Sequence, residues 1–231
     1  VPTKRLVEEV RTDPAMPLEL KQNKPGMQGG DPLGAAEQEA VRSLWLKAAS
    51  NAADIAEAML ELNVAKEVLN RVLEPFMWVH GVITSTEWDN WFKLRDHEAA
   101  QPEIRALAQS MREAMDASTP TPLRHGEWHL PYIIEADRVM AEDRLSMEVQ
   151  PYTILRHLSA ARCARISYSP FDGDPSWERE VGRVDRLIAE GHWSPFEHQA
   201  TPDEQDDGAW RQPGFHGNFN GWIQNRRLLE V

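Results

Sequence analysis

Apolar residues return at three- and four-residue steps through much of the chain, and the elements they predict are mostly helices. Leu6, Val7 and Val10 mark a short helix over 2–12. Pro14, Pro17, Pro25, Gly26, Gly29, Gly30, Pro32 and Gly34 then predict an irregular segment over 13–35. The longest stripe, Val41, Leu44, Trp45, Ala48, Ala52, Ile55, Met59 and Leu62, predicts a helix over 36–62. Asn63 suits a left-handed cap at its end. A helix over 64–74 carries Val64, Val68, Leu69 and Val72, and Glu74-Pro75 ends it, because proline disfavours helix at the preceding residue. Val79, Val82, Ile83 and Thr84 suggest a short strand or turn over 77–84.

Thr84 and Glu87 have capping-box spacing, which predicts a helix over 85–95. Pro102 opens the next helix, striped by Ile104, Leu107, Ala108, Met111 and Met115, and the run from Ser118 to Pro122 stops it. Residues 119–150 read as loop, with a charged stretch from Glu135 to Glu148. A boundary placed there gives a helical block over 1–135 and a second block over 136–231, expected to intertwine as one domain. The second block holds a helix over 151–166 and another capped by Asp174 and opened by Pro175. Trp177, Val181, Val184 and Ile188 line the core face of the latter, and Gly191 closes it. Residues 192–201 read as a turn into a strand.

The chain has 231 residues and a net charge of −12, so nonspecific nucleic-acid binding, which needs a basic surface, is not expected. A few arginines in a pocket can still bind one phosphate. Cys163 is the single cysteine, which rules out an intrachain disulfide or a CxxC metal cluster and fits a reducing compartment. No apolar run is long enough to span a membrane, and no signal peptide is visible.

GxGxxG, the P-loop and Gly-x-Ser-x-Gly are absent. His125 and His129 stand four apart, but no glutamate follows the first directly, so no metal site is expected and the segment reads as a surface loop. Cys163 lies among small residues without a histidine neighbour and is expected to be buried and inert. Arg71 and Arg95 each end a helix, where a cation is favoured by the helix dipole or by a nearby aromatic ring. Either could equally face a ligand. His192 to His198 could be no more than a capped turn with a satisfied histidine.

Taken together, these segments resemble the flavin-dependent thymidylate synthases. Asn70 to Pro75, Asn90 to Arg95 and Ala100 to Arg105 resemble the family's C-terminal half. Ala161 to Tyr168, followed by Gly191 to His198 with its Ser-Pro-Phe-Glu-His, resembles the N-terminal half. The blocks stand in swapped order, as in a circularly permuted, phage-type branch. The hallmark Arg-His-Arg-x-x-Ser-x-Asn-x-x-Ser-x-Arg is not within these residues, while Val1 to Leu6 resembles the stretch that follows it in that branch. The hallmark is therefore expected just upstream, and these residues alone are not expected to make dTMP without it.

The resemblance implies an α/β fold with helices around a mixed sheet, and a homotetramer that shares its active sites. It implies cytoplasmic reductive methylation of dUMP, with FAD, NADPH and methylenetetrahydrofolate; the cytoplasm is the host's if a phage encodes the chain. A dUMP C5-hydroxymethylating relative, or a noncatalytic subunit of such an assembly, are the alternatives. Arg71 and Arg95 match arginines that contact dUMP, Arg95 also stabilising charge on the uracil ring. Asn90 matches a flavin-contacting asparagine, and His192, Ser194 and Glu197 match the motif lining the flavin and folate side. Thr84, Thr86 and Ala99 replace the family's usual asparagine, arginine and histidine.

Overall fold

A computed structural model describes residues 3–25, 29–143, 151–167 and 176–230. Val1, Pro2, Gly26, Tyr168, the end of the charged stretch at Glu148, and the expected cap Asp174 with Pro175 lie outside the described residues. The chain is helix-rich with small antiparallel sheets, consistent with the α/β class expected. Chain contacts divide it into two units: 1–79 with 89–118, and 80–88 with 119–231. Residues 119–135, grouped with the first block from the sequence, thus contact the second unit.

The first unit is built from α1 (Thr3–Thr12), α2 (Ala35–Glu61), α3 (Lys66–Leu73), α4 (Asp89–Arg95) and α5 (Pro102–Ala117). Its core joins Leu6, Val7 and Val10 of α1 to Leu69 and Leu73 of α3 across α2, whose buried residues are the alanines Ala49, Ala52, Ala53 and Ala56, with Met59 and Leu60 partly buried against them. Of the expected stripe, Ala52 and Met59 meet this core, but its large aliphatic members do not. Leu44, Ile55 and Leu62 are 66%, 53% and 78% exposed, because α1 and α3 approach α2 where its side chains are smallest. Asn63 has φ 57°, the left-handed cap its position predicted. The irregular segment after α1 is tied down by Trp45 Nε1, which donates to Ala15 O at 2.9 Å, and Trp78 Nε1, which donates to Asp13 O at 3.0 Å.

Helix α4 begins at Asp89, four residues after the expected start. The Thr84 hydroxyl bonds His198 Nδ1 at 3.1 Å, and Ser85 Oγ accepts from Glu87 N at 3.1 Å. The capping-box residues therefore hold an extended segment in the second unit instead of starting a helix.

The second unit contains α6 (Glu135–Asp143), α7 (Pro151–Arg165), α8 (Trp177–Ala189), β1 (Ala200–Pro202), β2 (Gln205–Asp206), β3 (Ala209–Trp210), β4 (Trp222–Gln224) and α9 (Asn225–Leu229). Strands β1 and β4 pair antiparallel with Ala200 opposite Gln224, and β2 pairs antiparallel with β3. His129 bridges to Ala200 on the free side of β1. Phe196, 0% exposed, packs on Ala160 and Ala161 of α7 and Val184 of α8. Helix α6 stands where loop was expected. Its inward positions are Asp137 and Ala141, and Asp137 pairs with Arg162 of α7. Gly221, at φ 76°, is needed where it stands, since a Cβ there would lie 2.7 Å from the Trp210 ring.

Candidate active site

The expected site residues fall in both units. Arg71, Asn90 and Arg95 belong to the first, and His192, Ser194 and Glu197 to the second.

In the first unit, Leu69 and Leu73 bury one side of α3, which leaves Arg71 in the last turn facing solvent. On α4, Phe92 is buried while Asn90 and Arg95 are exposed. Arg112 of α5 holds α4 in place: its guanidinium lies 4.4 Å from the Phe92 ring centroid and its Nε donates to Asp96 at 3.1 Å. Pro102 occupies the first turn of α5, and Ala108 is its buried contact. Lys21, Gln101, Glu103 and Arg105 line a cleft of about 760 Å³ beside the start of α5.

Two features mark the helices that carry these residues. The guanidinium groups of Arg71, Arg95 and Arg105 make no hydrogen bond or ion pair among the described residues, whereas Arg11 and Arg112 are both paired with carboxylates. In addition, Asn70 Oδ1, Trp91 Nε1 and Arg105 Nε are buried without a partner. Buried polar atoms are nearly always satisfied. Arg156 Nε and Arg162 Nε of α7 are orphaned in the same way, but Trp91 Nε1 shares α4 with the exposed Arg95 and Arg105 lines the cleft beside α5, and donors of this kind suit a polar, anionic ligand.

In the second unit, His192 follows Gly191, whose φ of 71° closes α8. The His192 backbone N donates to Leu187 O at 2.8 Å, and its exposed ring lies 3.2 Å from Glu190. Ser194 opens a 3-10 turn, Ser194–Glu197, and is exposed. Glu197 pairs with Arg226 of α9. His198 has its basicity lowered by burial, so its ring is neutral at pH 7. The Ser-Pro-Phe-Glu-His segment thus serves the core through Phe196 while presenting Ser194 outward.

Behind that turn lies a polar cluster that the sequence did not announce. Gln199, 0% exposed, donates from Nε2 to Ser159 Oγ at 3.2 Å and to Pro195 O at 3.1 Å, and accepts from Asn225 Nδ2 at 3.2 Å. Cys163 lies against it, and burial pushes its thiol up to about 11. That agrees with an inert cysteine. His125 is committed to Pro202 O at 2.8 Å through Nδ1. Among the described residues no group of His, Cys, Asp and Glu could hold a metal ion.

The segments carrying the unpaired arginines also carry a family pattern. The sequence profile of the thymidylate synthase complementing protein family matches residues 5–121. The chain belongs to this family. The matched stretch takes in Arg71, Asn90, Arg95 and Arg105, and ends before His192, Ser194 and Glu197. Membership makes the chain a thymidylate synthase-type enzyme of nucleotide biosynthesis, in a family that acts on dUMP. Comparison with curated proteins and with solved structures returned no match. No helix among the described residues is long and apolar enough to cross a membrane.

Proposed function

We propose that the protein is a flavin-dependent thymidylate synthase that reductively methylates dUMP to dTMP with methylenetetrahydrofolate and NADPH. The observation that carries this reading is the set of unpaired arginines, Arg71, Arg95 and Arg105, on helices inside the matched family stretch.

Arg71 and Arg95 take the nucleotide. A guanidinium offers fixed, paired donors that fit phosphate and carbonyl oxygens, and neither group must first break a contact within the protein. Arg95 also favours negative charge developing on the uracil ring, which is electrostatic stabilisation by a donor already in place. Asn90, exposed beside Trp91 with its unpartnered indole N–H, is the residue that would hold the flavin. The orphaned N–H groups of Trp91 and Arg105 fit such a group, since FAD brings phosphate and ring acceptors. When bound, FAD supplies the hydride that NADPH delivers. His192, Ser194 and Glu197 line the flavin and folate side in this reading, with Arg226 fixing the Glu197 carboxylate. The assembly is proposed to be a homotetramer in the cytoplasm.

Calorimetric titration with dUMP tests the assignment, using the protein expressed from its natural gene. Arg71→Ala and Arg95→Ala should each weaken dUMP binding by roughly 10- to 150-fold, the worth of about 1.5–3 kcal/mol for a hydrogen bond to a charged group. Wild-type affinity in both variants would remove the arginines from the site.

A further inference from the structure

Helix α2 carries a row of side chains that its own unit does not bury. Leu44, Ala48, Asn51, Ile55, Ala58 and Leu62 follow one another at alternating steps of four and three residues. That is the spacing of a heptad seam, along which one helix meets a second over several turns. All six are exposed, and Leu44, Ile55 and Leu62 keep more than half of their surface in solvent. From Leu44 to Leu62 the seam runs about 27 Å.

The seam is distinct from the face that builds the core. Ala49, Ala52, Ala53 and Ala56 meet α1 and α3, and at 3.6 residues per turn the seam is rotated from them by roughly a third of a circle. On its other flank, Lys47, Ser50, Asp54, Glu57 and Glu61 form a polar ridge. Exposed apolar residues scattered singly need no partner, but a periodic row on one helix marks an interaction surface.

The row matches itself in one orientation. With two copies of α2 antiparallel and Ala48 opposite Ala58 of the second copy, Leu44 falls opposite Leu62 and Ile55 opposite Asn51. Leucine then meets leucine at both ends and alanine meets alanine inside them, which lets the backbones come close. The ridge agrees. Lys47 comes beside Glu61 of the second copy, twice in each pair, and neither side chain makes a hydrogen bond or ion pair among the described residues. Asp54 would stand near its own counterpart at the two-fold axis, but Arg11 of α1 already pairs with it at 2.7 Å. A parallel pair has no such match: Lys47 and Asp54 would there face Ala52 and Met59, which are turned to the core.

We propose that this face of α2 is a docking surface for a second copy of the chain, the two helices pairing antiparallel through the seam with Lys47–Glu61 ion pairs along one flank. Such a contact is isologous, each interaction occurring twice about the axis. It stands on the α2 surface alone and does not depend on the reaction.

Sedimentation velocity on the full protein, expressed from its natural gene and held at roughly 50 µM, reads the assembly. The wild-type protein should be a dimer or larger. Leu44→Glu with Leu62→Glu should lower the subunit count by half or more while the circular dichroism spectrum is kept, since both side chains are exposed. Lys47→Glu should weaken self-association by roughly threefold or more, and adding Glu61→Lys to the same chain should restore it. Oxidation reads the register: chains with Ala48→Cys mixed with chains with Ala58→Cys should form a disulfide-linked pair, and Ala48→Cys alone should not. The native Cys163 is buried and takes no part. A monomeric wild type, an assembly unchanged by Leu44→Glu with Leu62→Glu, absence of the mixed cross-link, or cross-linking of Ala48→Cys alone overturns the proposal. Nucleotide product assayed on the wild-type samples is a separate readout, so an active protein assembled through other faces removes the α2 pair and leaves the reaction standing.

Discussion

Asp137→Ala is the sharpest test of what holds the second unit together. The Asp137 carboxylate accepts from Arg162 Nη1 at 2.6 Å and Nη2 at 2.8 Å. It also accepts from Ile134 N at 2.9 Å, which closes the first turn of α6. The two side chains are only 10% and 11% exposed. Removing the carboxylate leaves a buried guanidinium whose remaining hydrogen-bond partner among the described residues is the Tyr132 carbonyl at 2.6 Å. Breaking one side of a buried pair costs about 3–5 kcal/mol, and losing a helix cap about 1 kcal/mol. Because both losses fall on one carboxylate they do not simply add, and the expected total is about 4–5 kcal/mol. Urea unfolding followed by circular dichroism and tryptophan fluorescence reads it. Asp137→Ala with Arg162→Met removes the stranded charge as well and should recover at least about half of the loss. A loss below about 1 kcal/mol, or a double variant no more stable than the single one, would refute the reasoning.

Three further outcomes follow from the same geometry. Arg95→Ala should leave thermal stability nearly unchanged, within about 0.5 kcal/mol, because its exposed guanidinium has no partner to lose; a collapse of the melting temperature would make the residue structural. Cys163 should react with a disulfide reagent at pH 8 only on unfolding, since its thiol is raised to about 11 by burial, and fast labelling of the native protein would contradict that. Burial of Asp203 favours its neutral form, but the Gln212 N–H, the His216 ring and the Glu204 N–H outweigh it and depress its pKa below 3.8. A depressed carboxylate contributes stability that is fully present above its unfolded pKa and lost as pH falls through the folded one. Stability should therefore fall with acid below about pH 4, and Asp203→Asn should flatten that fall; an unchanged acid limb would show that Asp203 is not the group responsible.

Most helices were legible because the chain marks them. Pro102 opens α5, Asn63 closes α2, Pro75 ends α3 and Gly191 ends α8, each for a backbone reason that needs no partner. Helix α6 was hidden because its inward face is a carboxylate and an alanine, so no apolar stripe betrays it. The inward face of α2 was misjudged for the opposite reason: its large side chains make the visible stripe, but close packing against α1 and α3 selects the alanines. Arg71, Asn90 and Arg95 are candidates through the order of residues around them, within the stretch that carries the family pattern. The polar cluster around Gln199 was not legible, because Ser159, Gln199 and Asn225 lie far apart in the sequence and meet only in the folded unit.

The central claim is that this protein converts dUMP to dTMP through a bound flavin. Its most direct test is mass analysis of the nucleotide product after incubating the protein, expressed from its natural gene, with dUMP, methylenetetrahydrofolate, NADPH and FAD. The account predicts a product of thymidylate mass that depends on FAD and is lost in Arg95→Ala. A hydroxymethylated uridylate would replace this reaction with its relative, and unchanged dUMP with the wild-type protein would contradict the account.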